Sequence, residues 1–60
     1  MTLKELREKY ALTQDELIGK IGLKSRSNYS KIENGKHKPS MMVRRKLAEL
    51  FKVNVWEIEF

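Results

Sequence analysis

Apolar residues recur along the chain at helical spacing. Leu3, Leu6 and Tyr10 fall at i, i+3 and i+7 and predict a short helix over about residues 2–10. Leu17, Ile18 and Ile21 predict a second, which stops at Gly22. Tyr29 and Ile32 anchor a third from about Ser25 to Asn34, with Gly35 as its C-terminal cap. Val43, Leu47, Leu50 and Phe51 line one side of a fourth from Met41 to about Phe51, and Val55 and Ile58 fit one further turn. Thr2 with Glu5, Thr13 with Glu16, and Asn54 with Glu57 each place a cap acceptor three residues before a Glu that reaches back, and Ser40 after Pro39 is a further cap. No period-2 run exceeds Val53–Ile58, so the pattern predicts an all-α fold of five short helices without a sheet.

Size sharpens this picture. Sixty residues make one domain, residues 1–60, and leave no room for a large pocket beside a catalytic apparatus. Without cysteine there is no disulfide frame and no thiolate metal site. No apolar run is long enough for a membrane span, and Met1-Thr2-Leu3-Lys4-Glu5 does not open a secretory signal, so the expected location is cytoplasmic. No nucleophile–base pair, paired carboxylates or metal cluster can be placed together, and His37 stands alone in a polar loop. The chain is therefore expected to be no enzyme and to need no cofactor or metal.

Charge is distributed unevenly. Residues 20–46 carry nine Lys and Arg and one acid, Glu33, for a net +8, while the remainder is net −3. A compact basic zone of this kind points to a polyanion, most simply nucleic acid. Within it, a helix, a Gly-containing turn (Gly22-Leu23-Lys24) and a second helix make a helix-turn-helix arrangement. With Tyr29 and Ile32 pointing inward, Ser27, Ser30, Lys31 and Asn34 fall on the outer side of the third helix, with Arg26 at its start. That face is short, hydrogen-bonding and cationic, which suits a major groove, where Arg or Lys reads guanine and Asn reads adenine. Lys36 and Lys38 add charge in the following loop.

The segments Leu12-Thr13-Gln14-Asp15-Glu16-Leu17, Ile21-Gly22-Leu23, Ser25 to Gly35 and Lys38-Pro39-Ser40 resemble the Cro and lambda-repressor (XRE-type) helix-turn-helix family, over nearly the whole chain from Leu3 to Ile58. The resemblance implies a five-helix, lambda-repressor-like DNA-binding domain acting on double-stranded DNA, usually as a homodimer on a pseudo-palindromic operator. It implies that Gln14 binds a phosphate, that Arg26, Ser27, Asn28, Ser30 and Lys31 face base edges or nearby backbone, and that Asn34 to Ser40 lie along the other phosphate strand. It also implies an ion pair between Arg7 and Glu33. The chain departs from the family pattern in one extra turn residue near Lys24, in Ile18 at a usually small position, in Ala11 where Gly or Asn commonly ends the first helix, and in Trp56 where a charge is usual. Gly19 beside Ile18 is expected to restore some packing room. An alternative follows from the apolar C-terminal end. Trp56, Ile58 and Phe60 would supply an interface for a partner repressor, as in an antirepressor or modulator, or for a toxin partner of an antitoxin.

Overall fold

The computed structural model describes residues 1–60, which form four α-helices and one 3₁₀ turn: α1 (Leu3–Lys9), α2 (Gln14–Ile21), α3 (Arg26–Glu33), α4 (Met41–Phe51) and the turn Val55–Glu57. The starts follow from local chemistry. Thr2 Oγ1 accepts from the Glu5 amide at 3.2 Å while Glu5 Oε1 accepts from the Thr2 amide at 2.8 Å, and Thr13 with Glu16 repeats the box at 3.1 and 2.9 Å. Hydrogen bonds to the backbone and side chain of those threonines hold both carboxylates below their ordinary range. Ser25 and Ser40 cap α3 and α4 through their hydroxyls, each at 3.3 Å.

Every helix ends on a left-handed residue: Ala11 (φ 54°), Gly22 (φ 74°), Gly35 (φ 77°) and Lys52 (φ 56°). After α3 the Gly35 amide donates to Ile32 at 3.1 Å and the Lys36 amide to Lys31 at 2.9 Å, the paired bonds of a Schellman motif. Ala11 does the same work after α1 with a Cβ, at a cost of roughly 1–2 kcal/mol that glycine would not bear. Gly19 is different. A Cβ built on it meets nothing within 4 Å, so it does not make packing room beside Ile18. It costs its helix about 1 kcal/mol relative to Ala with no packing gained in return.

The expected fifth helix is a single 3₁₀ turn, closed by Glu57 N–H to Asn54 O at 2.9 Å and Ile58 N–H to Val55 O at 3.4 Å. Its start is closed by Glu57 Oε2, which accepts from the Asn54 amide at 3.1 Å. The chain then turns extended because its end pairs with its beginning. Thr2 and Glu59 form an isolated parallel bridge, with Glu59 N–H to Met1 O at 2.9 Å.

One core joins all these elements: Leu3, Leu6, Leu17, Ile21, Tyr29, Ile32, Leu47, Ala48, Phe51 and Ile58. Ile58, expected at an interface, is only 5% exposed, because the extended exit from the 3₁₀ turn directs it inward. Phe60 also packs on the core and lies under the Arg44 guanidinium, 5.1 Å from its ring centre. Of the proposed interface residues only Trp56 is fully presented, at 81% exposure. Tyr10, expected on the inner stripe of α1, sits at the rim instead. Its ring tilts against Phe51 (5.1 Å between centres) and its hydroxyl donates to Phe51 O at 2.9 Å, occupying a carbonyl at the end of α4.

The expected ion pair is present and largely dry. Arg7 Nε and Nη2 donate to Glu33 Oε2 and Oε1, both at 3.1 Å, and the side chains are 13% and 4% exposed. Arg7 Nη1 also donates to Leu12 O at 2.8 Å, and Gln14 Nε2 to Glu33 Oε1 at 3.5 Å. The Glu33 carboxylate thus ties α1 and the start of α2 to the end of α3, and Arg7 ties in the α1–α2 link. Burial pushes the Glu33 carboxyl up, but its polar neighbours together, Arg7 foremost, hold it below its ordinary value. The neighbouring Tyr29 hydroxyl is buried without a hydrogen-bond partner, and burial, reinforced by the Glu33 charge, pushes its phenol far above its ordinary value, so it remains neutral.

Replacing Glu33 by Gln strands the Arg7 charge and should cost about 3–5 kcal/mol, most of the stability of so small a domain. A urea titration measures this, and the paired change Arg7→Met with Glu33→Leu should recover much of the loss. The acid profile follows from the sign of the shift. Glu33 is depressed in the folded state, so its stabilisation is complete above the ordinary value of 4.5 and lost as pH falls through the lower folded value. Urea midpoints of the parent should therefore drop below pH 4.5, and the paired variant should drop less, retaining only the share due to Glu5 and Glu16.

Candidate nucleic-acid interface

The turn between α2 and α3 runs from Gly22 through Ser25. Gly22 reverses the chain in the left-handed region, and the Leu23 amide returns to Ile18 O at 3.2 Å. Leu23 packs against the core, which fixes one end of the turn, while Ser25 caps α3 at the other. Lys24 lies exposed between these two anchors. Lys46 closes the opposite side by donating to Ile21 O at 3.4 Å, a cation on the carbonyl end of α2.

With the turn set, α3 buries Tyr29 and Ile32 and leaves Arg26, Ser27, Asn28, Lys31 and Asn34 exposed, with Ser30 half-buried. Arg26, Ser27, Ser30, Lys31 and Asn34 join Gln14 from α2 and Lys36 from the loop along one shallow groove, with no apolar and no acidic side chain in its lining. Asn28 and Lys38 are exposed but lie outside that groove. The groove is assembled by the core contacts and by Glu33, which holds the Gln14 amide from beneath. The loop is held too: the Lys31 carbonyl accepts from both Lys36 (2.9 Å) and His37 (3.2 Å), folding residues 35–37 back over the end of α3. Such an array of fixed donors and cations is suited to an extended anion with polar edges.

Two features lay beyond sequence reasoning. Asp15, outside the basic stretch in the linear count, reaches across from the first turn of α2 so that its Oδ2 lies 3.7 Å from Arg26 Nη1. Packing the starts of two helices side by side brings these residues together, and only the fold reveals it. The basic stretch also divides in space. Lys20 and Lys46 line a second groove between α2 and α4 together with Glu49. Arg44 is half-buried, donating to Pro39 O at 3.2 Å with its guanidinium over the Phe60 ring. The net charge of residues 20–46 therefore overstates what one face presents.

No helix is long and apolar enough to cross a membrane. A helix-turn-helix domain family matches residues 2–57. An uncharacterized HTH-type transcriptional regulator of Methanocaldococcus jannaschii is 39% identical over 56 residues, 93% of this chain and 83% of the relative. Two uncharacterized HTH-type transcriptional regulators of Archaeoglobus fulgidus are each 34% identical over 56 residues, again 93% of this chain, and 79% and 78% of their own lengths. No solved structure matches the chain significantly. A family match over almost the whole chain, together with the α2–turn–α3 geometry, means that the chain belongs to the helix-turn-helix domain family, the membership implied by its resemblance to Cro- and lambda-repressor-type domains.

Proposed function

We propose that the chain is a transcriptional regulator that binds double-stranded DNA with α3 in the major groove, in the manner of a Cro-like repressor. One observation carries this reading: the groove that spans the start of α2, the outer face of α3 and Lys36 contains only polar and cationic side chains. Short Ser27 and Ser30 let the helix approach base edges, while Arg26 and Lys31 offer donors to guanine and Asn34 a donor–acceptor pair to adenine. Gln14, Lys36 and Lys38 are assigned to phosphates, and the start of α4 offers free amides to the same strand. Asn28, exposed beside the groove, is assigned to adjacent backbone. The shared core supports reading residues 1–60 as one lambda-repressor-like domain, with the 3₁₀ turn in the place of a fifth helix. The relatives' names as transcriptional regulators point the same way.

Trp56 favours an added association. At 81% exposure it borders Glu57, which with Met1, Leu6 and Val53 lines a small hollow. One reading helix covers few base pairs, and two-fold pairing sets two of them about 34–36 Å apart, one turn of DNA. We assign Trp56 to pairing with a second copy on DNA. A partner repressor, as in an antirepressor, is the competing occupant.

A binding titration on duplex DNA at several salt concentrations tests the main reading. Arg26→Ala should cost about 1–3 kcal/mol on a selected duplex and relax preference at one base pair, whereas Lys36→Ala should weaken all duplexes and flatten the salt slope by about one. Equal losses on selected and random duplex for both variants would contradict base reading by Arg26, and absent binding at low salt would favour the partner-protein role. Sedimentation tests the second surface. Trp56→Ala should leave folding stability within about 0.5 kcal/mol yet weaken association on DNA by about 2 kcal/mol or more.

A further inference from the structure

An acid borders the proposed reading face. Asp15 Oδ2 and Arg26 Nη1 are 3.7 Å apart, with side chains 72% and 68% exposed, so the pair adds little to the stability of the fold. A carboxylate beside a phosphate-binding surface lowers affinity by repulsion, and its consequence lies in binding rather than in folding. The other two ion pairs of the chain, Arg7–Glu33 and the N-terminus with Glu59, leave Lys31 and Lys36 without a carboxylate partner. Arg26 is thus the one cation of the groove that carries an acid with it.

Resting on the DNA-binding reading, we infer that Asp15 is a positioning and specificity-determining residue: it directs the Arg26 guanidinium to a base edge and away from phosphate. The guanidinium has five N–H donors, so a contact through Nη1 leaves Nε and Nη2 available as a fork. Guanine O6 and N7 are uncharged acceptors that match such a fork, and they approach Asp15 without charge repulsion. A phosphate that competes for Arg26 must come close to the Asp15 carboxylate and meets a like charge. The carboxylate therefore costs little in the base-reading mode and acts against the backbone mode that all sequences share. Specificity arises here from a repulsive element set against the wrong contact.

The test selects a preferred duplex from a random library with the parent chain. Affinities for that duplex and for random duplex are then measured between 50 and 200 mM salt. Asp15→Asn should bind random duplex more tightly, with a salt slope steeper by about 0.9 because Arg26 is released to one more phosphate. The selected-to-random ratio should fall about 5-fold or more, within what one lost bidentate base contact removes. Asp15→Glu, which keeps the charge, should retain most of the ratio. In an Arg26→Gln background the Asp15→Asn change should leave the ratio as it is. Thermal melts accompany each variant, and the intact Thr13–Glu16 box should keep α2 capped. Equal effects of Asp15→Asn on both duplexes, or the same fall in the Arg26→Gln background, would overturn the role of Asp15 while leaving DNA binding in place. A parent that binds neither duplex would instead overturn the DNA-binding reading, and this role with it.

Discussion

Glu33 is an almost fully enclosed carboxylate in a chain with very little interior, and the rest of the architecture is organised around satisfying it. Alone, a buried charge would cost several kcal/mol. Arg7 supplies two hydrogen bonds and the counter-charge, and the third Arg7 contact, to Leu12 O, locks the loop between α1 and α2. Gln14 uses one amide hydrogen on the same carboxylate. The end of α3, the start of α2 and the body of α1 are consequently fixed by a geometry that no apolar contact would specify as tightly, since a bidentate fork has one orientation. The proposed reading face is the outer consequence of this inner pair: Gln14 and Asn34 flank the groove because Glu33 holds the segments that carry them.

A second layer of control lies at the helix ends. Four helices of seven to eleven residues are too short to stand alone, and each is closed at its start by a hydroxyl and at its end by a left-handed residue. The same devices place function. The turn that closes α2 at Gly22 sets the direction of α3, and the motif that closes α3 at Gly35 lays Lys36 beside the groove. Ala11 and Lys52 adopt the strained region without being glycine, and the packing around them, including the Tyr10 hydroxyl on Phe51 O, sustains that conformation.

Much of this was legible beforehand, for reasons that differ by element. Helices α2 and α4 announce their bounds because a cap residue and an apolar stripe agree. The inward direction of Tyr29 and Ile32 follows from spacing alone. The C-terminal segment differs from the sequence pattern because Val53–Ile58 carries both helical and strand-like signals, and a tertiary contact, the pairing of Glu59 with the first residues, decides between them. That pairing turns Ile58 inward, which no local pattern encodes. Charge counted along the chain failed in the same way: it missed Asp15 beside Arg26 and included Arg44, whose hydrogen bond to Pro39 and contact with Phe60 make it structural. Long-range neighbours, not local propensity, account for each difference.

Three segments held by the Arg7–Glu33 pair form one polar face, and in the proposed function that face meets duplex DNA. Nuclear magnetic resonance of the isotope-labelled chain, titrated with a short duplex at low salt, reads out that face residue by residue. Shifts should concentrate at the Gln14 side chain, at Arg26, Ser27, Ser30, Lys31 and Asn34, and at Lys36, while the Arg7 Nε–H resonance stays where it is in the free chain because the pair persists. Shifts centred on the second groove at Lys20 and Lys46, or a moved Arg7 Nε–H with α3 unperturbed, would contradict it.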